Sequence, residues 1–187
     1  VTRHLWALRA TASLFVVLIL AVVTRAADPP SGSQQDLNRA TTTVAARQDA
    51  IDAIPTERLT PAGRARVAWV LENTSVFRRL PVRITVCDPG LYQFLVHHPD
   101  VVVNIWEQFG VSHLALRQMG PDTYQVTDDV GTSGTIQFLY RSRDTNVAYI
   151  DGQYTGRLLG HQVRGRGILV LKSGFVRNLE GKCYVTS

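Results

Sequence analysis

The chain has 187 residues and a mass of 20.7 kDa; 45% of the residues are hydrophobic, 19% are charged, and the formal net charge is +5. That balance excludes a wholly disordered chain, and 14 glycines with 8 prolines exclude a collagen-like one. Two cysteines exclude a disulfide-dense mini-scaffold and a four-thiolate zinc site.

Residues 1–26 read as an address. Arg3 and Arg9 lie in a basic start, Ala10–Val23 carries no charge, and Thr24-Arg25-Ala26 places small residues about a cleavage point. Basic, apolar and small-x-small segments in that order make a secretory signal. The apolar run falls short of the ~20 residues that a bilayer crossing needs, so cleavage after Ala26 is expected, with an uncleaved N-terminal membrane anchor as the alternative. The expected location is therefore outside the cytoplasm: periplasmic, extracellular or anchored to the membrane. Cleavage removes Arg3, Arg9 and Arg25 and no acid, which lowers the formal charge to +2. So small an excess argues against a nucleic-acid partner.

Residues 27–35 are a Pro/Gly/Ser linker. Residues 36–79 read as a helical segment. A first helix over Asp36–Ile54 has a thin apolar stripe at Val44, Ile51 and Ile54, which suggests weak packing or a stalk. Thr60-Pro61 opens a second helix as N-cap and first-turn proline, with Val67, Val70 and Leu71 as its stripe.

The compact domain is expected over residues 80–187. Val82, Ile84 and Val86 alternate with polar residues as in a half-buried strand. Asp88-Pro89 then starts a helix with Leu91, Phe94 and Leu95 on one face, and Pro99 opens another that ends at Gly110. From Ser112 onward the period is two, broken by turns at Gly120-Pro121-Asp122, 128–134, 143–146 and 178–181. Short connections predict antiparallel neighbours. The order is strand, helix, helix, then a meander, giving an α+β domain with about six to seven strands in one curved sheet.

This order, carried by residues 80–187, resembles the helix-grip fold of START-like lipid-transfer and polyketide-cyclase-like proteins. The stretch LPVRITVCDPGLYQFLVHHPDVVVNIWEQFGV (80–111) is also similar to an uncharacterised family of exported bacterial proteins. The resemblance implies a closing helix across the sheet, for which no residues follow Ser187, so either the C-terminus is truncated or the fold is a different one. It also implies that the first strand lies antiparallel beside the last. Cys87 would then stand next to Cys183, and a disulfide between them is expected in an oxidising compartment.

Candidate chemistry is sparse. His97, His98, Asp100, Glu107 and His113 form the one cluster with metal-ligating groups, but neighbouring helical residues point about 100° apart and zinc spacings are absent. No metal or other cofactor is expected. Cys87 closes an apolar strand, the setting of an inert thiol, and Asp128-Asp129 sit in a turn where Asp serves the backbone. Nucleophile-elbow and phosphate-loop motifs are missing, so no catalytic residue is assigned.

Aromatic residues remain: Trp106, Phe109, Phe138, Tyr140, Tyr149 and Tyr154 either fill a core or line an apolar pocket, with Arg164 and Arg166 at an anionic head. The leading reading is an exported, non-enzymatic domain that binds a lipid or another apolar small molecule. A membrane-tethered structural or interaction protein of the cell envelope is the alternative, and a cavity enzyme of cyclase or hydrolase type is third.

Overall fold

The computed structural model describes residue 37, residues 39–156 and residues 161–187. The expected signal or anchor and the 27–35 linker lie outside the described residues. The first helix, α1, spans Val44–Asp52 and starts later than its composition suggests. Thr43 sets the start: its side chain accepts from the Ala46 N–H at 3.3 Å, as an N-cap does. A single 3-10 turn, Thr56–Arg58, folds the chain back into α2, Pro61–Glu72. Thr60 caps α2 through the Gly63 N–H at 3.1 Å, and Pro61 occupies the first turn.

The strand β1 is only Ile84–Val86. Asp88 caps the following helix α3, Pro89–His97, through the Leu91 N–H at 2.9 Å. Pro99 starts α4, Pro99–Gln108, and Gly110 turns the chain out of it at φ +64°. The remaining strands are β2 (Ala115–Gly120), β3 (Thr123–Thr127), β4 (Thr132–Arg141), β5 (Thr145–Tyr154), β6 (Val163–Lys172), β7 (Gly174–Arg177) and β8 (Cys183–Thr186).

The protein is α+β, with four α-helices and eight strands among the described residues. Every pairing between these strands is antiparallel, but the strands form two sheets, β2-β3-β4-β5-β6 and β1-β8-β7, where one was expected. The division has a simple cause. The β5–β6 ladder begins at the Thr145–Lys172 pair, so past Lys172 there is no β5 residue left to bond. Buried Ser173 marks the break; its N–H donates to the Asp144 carbonyl at 2.8 Å, and β7 then pairs with β8.

Neighbouring residues of β5 show what covers the large sheet. Val147, with no exposed surface, packs with Ile54, Leu59 and Val67. Asn146, one position back, puts its Oδ1 3.2 Å from His97 Nε2 on α3. Successive strand residues face opposite ways, so α2 and the segment joining it to α1 cover one face while α3 approaches the other. This corrects the expected stalk. The 3-10 turn brings Ile54 and Leu59 together with Val67, and these three close over the sheet with Leu71, Leu139, Tyr140, Ile168 and Val170 around them. α2 and the segment before it therefore share the core of the sheet.

Candidate functional site

The expected pocket residues do not meet in one place. Tyr149, Arg164 and Arg166 lie on the face that α2 covers, by their register with Val147 and with one another. Phe138 pairs with Ala148, so it belongs to the opposite face, which Tyr154 shares by the same alternation. Tyr140 should share that face with Phe138, two residues away. A bulge at Leu139 shifts the register, pairs Tyr140 with Val147 and turns it toward α2. There its hydroxyl accepts from Arg58 Nη1 at 2.9 Å. Phe138 stacks under the Arg141 guanidinium at 3.9 Å and meets Tyr124 edge-on at 6.1 Å. Trp106 is half-buried on α4, and Phe109, at the C-cap of that helix, is 79% exposed.

The residues that do converge form a groove between α2 and β5–β6. Ala65, Arg66 and Trp69 make one wall and Tyr149 with Arg166 the other, around a volume of about 200 Å³. Each wall gives the other a cation and receives one: Arg66 lies 5.2 Å from the Tyr149 ring centre, and Arg166 lies 4.7 Å from that of Trp69. Guanidinium groups over aromatic faces are attracted by the ring quadrupole.

Asp151 continues this wall. Arg164 holds its carboxylate through two bonds, both 3.0 Å, and Arg166 adds a third at 3.1 Å. The Arg164 hydrogen bonds hold the Asp151 carboxyl below its ordinary range, with a smaller effect from Arg166; burial opposes both. Asp151 in turn raises Arg164, again chiefly through the hydrogen bond. A second hollow of about 270 Å³ runs on past this carboxylate, lined by Ser133, Thr135, Asp151, Gln153 and Arg164 with the backbone of Gly134 and Gly152.

Trp69, Arg66 and Asp151 were not singled out from the sequence as site residues. Their only local signal is Arg66 and Trp69 three apart on α2, beside the apolar stripe rather than on it.

His97 and Asp128, singled out above, have structural partners. His97 lies 2.9 Å from Gln93 Nε2 and 3.2 Å from Asn146 Oδ1, so it joins α3 to the start of β5. No group of three His, Cys, Asp or Glu residues is placed to hold a metal among the described residues. Asp128 Oδ1 accepts from the Val130 and Thr132 N–H groups, at 3.0 and 2.6 Å, and so shapes the turn into β4. Cys87 and Cys183 stand across the β1–β8 ladder as free thiols. No protein-family model, curated protein or solved structure matches the chain.

Proposed function

We propose that this is an exported, non-enzymatic binding domain whose ligand is an amphipathic anion seated between α2 and β5–β6. The apolar part lies against Trp69 and Tyr149, and the head group takes hydrogen bonds from Arg166 and Arg164 in competition with Asp151. The observation that carries this reading is the crossed pair of arginine–aromatic contacts on facing walls, beside two arginines that share one carboxylate. Its volume, below the ~300 Å³ typical of small-molecule sites, suits a head group and the first part of a chain rather than a whole lipid. In the helix-grip arrangement proposed here, the helix pair after β1, the meander that follows and the pairing of β1 with β8 are the supporting features.

Titration with dodecyl phosphate, followed by tryptophan fluorescence and calorimetry, tests the reading. Saturable binding is expected, with dodecanol binding much more weakly. Arg166→Ala should weaken the phosphate by about tenfold, the loss of roughly one charged hydrogen bond. Equal binding of the alcohol and the phosphate, or no effect of Arg166→Ala, overturns it.

A second reading, an interaction protein of the cell envelope, draws on one different observation. Ile84, Val86 and Val176 are 61–70% exposed and share one face of the small sheet. Apolar side chains collected on one exposed face suit a protein or membrane contact.

A further inference from the structure

We propose that Cys87 and Cys183 close into a reversible disulfide that fastens the edge strand β1 to β8. The ladder between these strands pairs Ile84 with Thr186, Thr85 with Val185 and Val86 with Tyr184. The next pair is Cys87 with Cys183, and the Cys87 N–H donates to the Cys183 carbonyl at 3.2 Å. The two cysteines are therefore directly opposed residues on one face of the sheet. Hydrogen-bonded antiparallel partners have Cα atoms about 5.5 Å apart, inside the ~4.4–6.8 Å range over which disulfides form. Such pairs hold their side chains farther apart than non-hydrogen-bonded pairs do, so closure draws the strands together slightly. β1 can yield: it has three residues and stands at the edge of its sheet, with Ile84 and Val86 largely exposed.

Both cysteines are half-buried, which leaves them open to a thiol–disulfide exchange partner. The Cys87 thiol now donates to the Asp88 carbonyl at 3.4 Å, a weak bond that closure gives up. In the reaction one thiolate attacks an acceptor disulfide, such as oxidised glutathione, and forms a mixed disulfide with release of one acceptor thiol. The second thiolate displaces the other acceptor thiol and completes the bridge. The two cysteines together lose two protons and two electrons, and the acceptor disulfide becomes two thiols. The bond has a mechanical effect beyond β1. Cys87 precedes Asp88, the cap of α3, so the bridge ties the start of α3 to β8.

The test uses the full chain, equilibrated in reduced and in oxidised glutathione buffers, denatured, alkylated and digested with trypsin. After oxidation, peptide 183–187 should appear joined to peptide 84–117, with both masses recovered on reduction. The amides of Thr85 and Val185 should then exchange at least tenfold more slowly in the oxidised form. Cys87→Ser should abolish the joined peptide, while the two wild-type readouts need no variant. Full alkylation of both cysteines after oxidation, glutathione adducts in place of the joined peptide, a link between two chains, or unchanged exchange each overturns the proposal.

Discussion

Replacing Val67 by alanine probes whether α2 is part of the core or a separate rod. Val67 is 2% exposed and packs with Ile54, Leu59 and Val147. Alanine removes two methyl groups, worth ~0.8 kcal/mol each in transfer, or about 1.6 kcal/mol. Incomplete collapse around the gap raises the cost to about 2–3 kcal/mol. Alanine is also the better helix former, which returns about 0.5 kcal/mol. The net expectation is a loss of about 2 kcal/mol, equivalent to a fall in Tm of roughly 4–8 °C for a chain of this size. Urea unfolding followed by far-UV circular dichroism measures it, with Val44→Ala as the control, because Val44 is 84% exposed on α1. If α2 stood apart from the sheet, helix propensity alone would act and Val67→Ala would be neutral or stabilising. A stabilised Val67→Ala variant would therefore refute the shared core.

Further expectations follow from single contacts. Asp88→Ala removes the cap of α3 and should cost about 1 kcal/mol by the same unfolding assay, with Asp88→Asn retaining most of it. Gly131 has φ +104°, and a Cβ there would lie 2.6 Å from the Gly156 nitrogen, so Gly131→Ala should cost about 1–3 kcal/mol and Gly131→Ser no less. Asp151 is held below its ordinary value of 3.8 by its arginines. Its contribution to stability is whole above that value and is lost as pH falls through the lower folded one. The stability gap between wild type and Asp151→Asn should thus close as pH falls below 3.8 and through the lower folded-state value; a gap constant through that acid range would show that the ion pairs add nothing.

Much of the element order is legible because its signals are local. Thr60-Pro61, Asp88-Pro89 and Gly110 each act on the next turn of backbone, and the period-two stretches after Ser112 need only a strand with one face covered. The docking of α2 and of the segment before it is not local. Leu59 is the C-cap of a 3-10 turn, with no helical period to reveal it, yet it is 3% exposed in the core. The pocket fails to assemble as expected for a related reason. Strict alternation puts Phe138 and Tyr140 together, and one bulge at Leu139 separates them. The end of the β5–β6 ladder is set by the turn 142–145, so Ser173 looks like any strand residue until both strands are in place. The groove itself joins Arg66 and Trp69 to residues some 80–100 positions later, a distance over which no spacing rule reads.

The most direct test of the account is where a ligand lands. Backbone amide shifts of the labelled protein, recorded during titration with dodecyl phosphate, should move at Arg66, Trp69, Tyr149, Asp151 and Arg166, with saturation at one equivalent and little change at Phe138 or Tyr124 on the opposite face. Shifts confined to the opposite face, or none at millimolar ligand, would contradict it.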